Sequence, residues 1–242
     1  DDLNTEWQTN DFNITLTPSD ATSGVKYTEY NFNGIDYNGT SISINQDGNW
    51  TITYKTTDNA GNIEDIKTIY ALLDKTNPTA TLDNPIDEQN IASLTYELQG
   101  TFNDNLSGVQ QVLVSLDNID YNSATLVNAT NWDYNIVFPG DNDYTIYVKA
   151  TDNAANMSGA TTRTVHVDVT KPVSAITSPN NNADINSHAL NLIGTYFDAG
   201  TGVQKVVLII NDSEEIQADK NTENWYYTYN ASADGNYNIK SK

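Results

Sequence analysis

From residue 144 to 150 apolar and polar positions alternate: Tyr144, Ile146, Val148 and Ala150 stand against Thr145, Tyr147 and Lys149, the two-residue period of a strand with one buried face. The stretch 144–156 recurs as 50–62. One copy closes on Thr-Asp-Asn-Ala-Ala-Asn and the other on Thr-Asp-Asn-Ala-Gly-Asn, which places Asp58 and Asp152 94 residues apart. The Asp-x-Thr-x-Pro runs 74–78 and 168–172 repeat at the same spacing, and a period that long is a domain. No ten-residue window carries a helical stripe. The pattern predicts an all-β chain of tandem two-sheet sandwiches.

The repeat extends to other strands. Phe12, Ile14 and Leu16 correspond to Tyr96, Leu98 and Gly100 and to Leu190, Leu192 and Gly194, as the inward positions of an early strand, B. Each copy runs into an Asp-x-x-x-Gly-Val turn beginning at Asp20, Asp104 or Asp198. A third strand, C, follows, with Tyr30 and Phe32, Val114 and Leu116, or Leu208 and Ile210 inward. Trp132, Tyr134 and Ile136 mark a further strand that recurs through Trp225, Tyr227 and Tyr229 and is reduced in the first copy. Ile69, Ala71 and Leu73, or Val165 and Val167, face inward on the last strand, G. Tyr144, just after the turn 139–142, is placed like the corner tyrosine of sandwich folds. The expected domains are 1–74, lacking strand A; 75–168, complete; and 169–242, lacking the end of strand F and all of strand G. Such margins suit a piece of a longer array, or a sandwich completed by a neighbour's strand.

The Thr-Asp-Asn-Ala-Gly-Asn loop and the Asp-x-Thr-x-Pro junction resemble those of tandem Ig-like repeats in bacterial and archaeal cell-surface proteins, over nearly the whole chain. That resemblance implies an immunoglobulin-like sandwich at the cell surface, in an adhesin stalk, a surface layer (S-layer), a filament or an accessory module of a secreted protein. Neighbouring copies or further repeats of the same chain would then be its partners. The resemblance also implies calcium at domain junctions, and it leaves the ligand open.

Composition narrows this further. Among 242 residues there is no cysteine, so each core holds by packing or by metal. Eleven Lys and Arg against 32 Asp and Glu give a net charge of -21, which disfavours nucleic acid and anionic membrane surfaces and attracts divalent cations. A halophile could also produce this balance. The chain opens without a basic, apolar leader and has no run of 18 apolar residues, as expected of a mature or excised piece with no direct membrane insertion.

In a sandwich of this topology the BC loop, the FG loop and the incoming junction share one end. Asp74 should therefore meet Asp104, Asn105, Asp152 and Asn153, and Asp168 should meet Asp198, with Asp20, Asp58 and Asn59 as the equivalent set of the first copy. Carboxylates and amides are the hard oxygens that calcium takes. An Asp that opens a turn equally bonds backbone N–H groups two residues on without any metal, and the sequence alone leaves both readings open. Sequons at Asn13, Asn38, Asn49, Asn105, Asn128, Asn156, Asn211 and Asn230 permit glycosylation in a chain so rich in Asn that their number is no signal. Tyr121, Trp132 and Tyr147 could stack on surface glycans, although the recurrence of Trp132 as Trp225 suits a core. His166 and His188 are paired with no nucleophile motif, and Glu214 and Glu215 sit in a polar hairpin, so no enzyme activity is expected.

Overall fold

The computed structural model describes residues 6–242, and no helix occurs among them. Among the described residues the strands form six sheets of two to five strands each. By contacts the chain divides into two compact units: Asp1–Ile86 with Glu97–Asn135 and Thr145–Arg163, and Asp87–Tyr96 with Ile136–Tyr144 and Thr164–Lys242.

In the first unit, Phe12–Thr15 pairs antiparallel with Ser41–Ile44, and a four-stranded sheet runs in the order Ile35–Asn38, Val25–Phe32, Gly48–Asp58, Lys67–Leu73. Their inward residues make one core of Ile14, Leu16, Ile42, Ile44, Ile52, Ile69, Ala71 and Leu73, the parity expected from the alternation. The sequence expects nothing before Phe12–Thr15. Gln8 nonetheless makes a parallel bridge with Leu73: its amide donates to Leu72 O and its carbonyl accepts from Asp74 N. A polar side chain at position 8 hid this bridge, because backbone groups alone make it. In the same unit Val109–Ser115 pairs with Asn122–Ser123 and, from Asp152 to Tyr147, with the strand Asn142–Asp152, where Ile146, Val148 and Ala150 are fully buried.

In the second unit, Gln89–Ile91 runs parallel to Val165–Val167. A four-stranded sheet has the order Val173–Ser178, Ala189–Phe197, Asn224–Asn230, Asp219–Lys220, and a three-stranded sheet the order Glu214–Gln217, Val207–Ile210, Ile239–Ser241. Leu190, Leu192, Val206, Leu208, Ile210, Ala218 and Trp225 form the core between them.

The corner position is aromatic in all three copies. Trp50 Nε1 donates to Gln46 O (3.0 Å), Tyr144 OH to Gly140 O (3.0 Å) and Tyr237 OH to Ala233 O (2.8 Å), so each ring ties the start of its strand to the turn four residues back. Trp132 and Trp225 are core residues, 1% and 0% exposed, which settles the alternative of Trp132 as a sugar platform. Tyr121 instead lies under the Lys149 ammonium, 4.7 Å from its ring centroid.

His166 is clasped rather than free. Its Nδ1 lies 2.6 Å from Asp143 and its Nε2 2.8 Å from Glu88, and these two carboxylates, Asp143 foremost, hold its pKa above the usual 6.5. A raised histidine pKa stabilises the fold fully below pH 6.5, and that contribution is lost as the pH rises through the raised value. The His166 ring resonances should accordingly titrate above 6.5, and His166→Gln should flatten the loss of stability over that window. Titration at or below 6.5 would show that the clasp does not persist in solution.

Candidate metal centre

The Asp at the head of each BC loop is held by its own turn, for a local reason: a short carboxylate two to four residues before backbone N–H groups closes an Asx turn. Asp104 Oδ2 accepts from Leu106 N (3.1 Å) and Gly108 N (2.7 Å), and Asp198 Oδ2 from Gly200 N and Gly202 N. Asp20 Oδ2 accepts from Thr22 N, Ser23 N and Gly24 N. These bonds, that of Ser23 N first, hold the Asp20 pKa below the ordinary carboxylate value.

The three loops differ at one amide. In the first copy Ser23 N goes to Asp20 itself. In the other two the equivalent N–H goes to the Asp that follows the preceding strand: Ser107 N donates to Asp74 Oδ2 (3.0 Å) and Thr201 N to Asp168 Oδ2 (2.6 Å). Thr201, by its amide first and its hydroxyl second, lowers the Asp168 pKa. The Thr of each junction is also anchored, Thr76 Oγ1 on Asp47 and Thr170 Oγ1 on Asp141.

The third component is the Thr-Asp-Asn loop. Asp152 Oδ1 accepts from Asn156 N (2.8 Å) and its Oδ2 from Asn156 Nδ2 (2.9 Å); the same Asn156 amide donates to Asp74 O (2.8 Å). Asn153 Nδ2 donates to Ser107 O and Gly108 O, latching the two loops. Asp58, Asn59 and Asn62 repeat the arrangement, with the Asn62 side chain as the main cause of a lowered Asp58 pKa.

Asp74, Asp104 and Asp152 thus converge, each offering an oxygen within 4.8 Å of the others. Asp74 and Asp152 are 0% exposed, and among the described residues no ion pair reaches any of the three. Two unit charges 4.8 Å apart repel by about 3.5 kcal/mol at an effective dielectric near 20. Asp104 Oδ1 and Ser107 Oγ are buried there without a hydrogen-bond partner among the described residues, whereas the equivalent Thr201 hydroxyl bonds Asp168. Oxygens that ligate calcium at about 2.3–2.6 Å from opposite sides lie up to about 5 Å apart, so the donor type, spread and orphaned oxygens suit that ion. With no His or Cys in the group it does not suit zinc.

The remaining expected residues fall elsewhere. Asn105 is exposed and accepts from Asn103, so it stays out of the cluster; Asn153 spends its amide nitrogen on the loop latch. Asp168 and Asp198 bond amides of one loop, Asp168 that of Thr201 and Asp198 those of Gly200 and Gly202, with Asp198 Oδ1 buried and unpartnered among the described residues like Asp104 Oδ1. Asp20 and Asp58 remain occupied by their own turns, and Asn59 by the carbonyls of Ser23 and Gly24. Of the sequon residues, Asn13, Asn38, Asn49, Asn105, Asn128, Asn211 and Asn230 are exposed, while Asn156 is half-buried and committed to Asp74 and Asp152. Ser107 and Asn156 are the site residues missed from sequence; the recurrence of Asn156 as Asn62 was the available signal.

Residues 172–240 match the family model of the bacterial Ig domain. No curated protein sequence matches the chain. Among solved structures, the fibronectin(III)-like modules of Clostridium thermocellum CbhA align over 67% of this chain and 87% of theirs, at 16% identity and a TM-score of 0.36. The D00-D0 domain of intimin aligns over 67% and 91%, at 14% identity and 0.33. SGBP-B of the Bacteroides ovatus mixed-linkage glucan utilization locus, solved with a mixed-linkage heptasaccharide, aligns over 98% of this chain but 59% of its own, at 14% identity and 0.25. These superpositions are loose, and the family match is confined to residues 172–240.

Proposed function

We propose that the chain is a non-catalytic, extracellular module of a bacterial surface protein, a spacer of tandem Ig-like sandwiches with boundaries near residues 74 and 168, stiffened by calcium at the junctions. The observation that carries this reading is the meeting of the junction Asp74 with Asp104 and Asp152, next to a buried Asp104 oxygen that none of the described residues satisfies. An ion held there would draw the junction and two loops onto one centre. Asp74, Asp104, Asp152 and the Ser107 hydroxyl would hold it; Asp168 and Asp198 would supply a weaker second site of two carboxylates.

Both histidines are engaged by carboxylates, His166 by Asp143 and Glu88 and His188 by Asp234, which fits a structural role. Isothermal titration of chelator-treated protein with calcium should give saturable heat at one strong site, and small-angle scattering should show a narrower spread of dimensions with calcium than with chelator. Identical scattering curves and no heat would remove calcium from the proposal.

A further inference from the structure

The outer faces of the repeats are not alike. In Ala189–Phe197 the odd positions point outward, opposite buried Leu190, Leu192 and Gly194. In Asn224–Asn230 the even ones do, opposite Trp225. The register sets Val173 across from Phe197, Ala175 across from Thr195, and Ile193 across from Tyr226. Val173, Ile193, Phe197 and Tyr226 are 62%, 42%, 65% and 47% exposed, so one sheet face of the second unit carries a stripe of two apolar pairs, Val173 with Phe197 and Ile193 with Tyr226, with Ala175, Thr195 and Asn224 between them. At the matching positions of the preceding repeat stand Thr79, Gln99, Asn103 and Asp133, and the first copy of the long strand has Asn13 and Thr15 outward. The framework is repeated while this face has exchanged polar residues for apolar ones. Folding does not require the exchange, since the same strands fold elsewhere in the chain with a polar exterior.

The chemistry around the stripe selects its occupant. Within a chain of net charge -21 the four stripe residues carry no charge, and Asp219 stands at the margin, opposite Tyr226. Between and beside the aromatic rings lie Asn191, Thr195, Asn224, Thr228 and Asn230, neutral groups that both donate and accept hydrogen bonds. Phe197 and Ile193 are four residues apart on one strand, roughly 13 Å, with Tyr226 beside Ile193, so an elongated ligand can meet both rings. A long, neutral molecule with apolar faces and hydroxyl edges fits this pattern. A second copy fits less well, because the like charge of two chains opposes their approach. We propose that this face binds a neutral polysaccharide, with Phe197 and Tyr226 as stacking platforms, Val173 and Ile193 as the floor, and the asparagine and threonine side chains bonding hydroxyls. The proposal is independent of calcium.

The test grafts the preceding repeat's own residues, Phe197→Asn with Tyr226→Asp, into the full chain. Affinity electrophoresis through gels containing mixed-linkage β-glucan, galactomannan or dextran should retard the native chain in at least one polymer. The double variant should bind that polymer roughly tenfold or more weakly, with its melting temperature unchanged. Absence of retardation in all three gels, or equal retardation of the variant, overturns the proposal. A concentration-dependent dimer in sedimentation velocity that the double variant abolishes would also overturn it, since the face would then be a contact between copies.

Discussion

Calcium added to the chelated protein is expected to raise its melting temperature, and Asp104→Asn to abolish that response while leaving the metal-free protein as stable as before or more so. The asymmetry follows from the two oxygens of one side chain. Oδ2 accepts the Leu106 and Gly108 amides, and an asparagine carbonyl can replace it. Oδ1 is buried without a partner beside Asp74 and Asp152. Removing its charge relieves repulsion in the empty site and removes a ligand from the filled one. An ion at a hundred times its dissociation constant stabilises by about 2.7 kcal/mol, several degrees for modules of this size. Asp152→Ala provides the contrast: it strips partners from Asn156 N and Nδ2 and should destabilise with or without calcium by roughly 2 kcal/mol or more. If Asp104→Asn keeps the full calcium response, the three carboxylates are turn structure alone.

Gly100→Ala is expected to cost about 3 kcal/mol or more, and Gly194→Ala a similar amount, measured by denaturant unfolding. A Cβ at residue 100 would stand 2.1 Å from Thr81 O and 2.7 Å from Trp132 Nε1, the two atoms joined by the indole hydrogen bond of 3.0 Å. At residue 194 it would meet Ala175 O at 2.0 Å and the Trp225 ring at 2.2 Å. Both neighbours are fixed, one being backbone and the other a buried ring, so the strand must move. Gly159→Ala, with nothing within 4 Å of the added carbon and no positive φ, serves as the control and should be close to neutral. Equal stability of Gly100→Ala and Gly159→Ala would show that the tryptophan does not lie on the strand as described.

The strands were legible because each buries one face, so the parity of Ile146, Val148 and Ala150 or of Leu190 and Leu192 announces itself in the alternation. The Asp turns were legible for a similar reason, since Asp, Ser and Gly at fixed offsets leave few other conformations. Gln8 was not, because a bridge made by backbone atoms leaves no trace in side-chain type. Ser107 was hidden because its hydroxyl matters through being unpaired, a property of its surroundings. The stripe through Phe197 and Tyr226 was written in the sequence, yet it became visible only once the register showed that these apolar residues share the outer side.

The single amide that changes hands among the three loops has a consequence for how such chains come apart and recombine. In the first copy the Ser23 amide closes the loop on its own Asp20. Asp104 and Asp198 occupy the same offset, so a module cut from its predecessor can re-form that bond internally and keep its loop. Each loop amide thus has an acceptor of its own as well as one lent by the junction, a redundancy that lets genes for such modules be shuffled, duplicated or truncated without first solving the folding problem again.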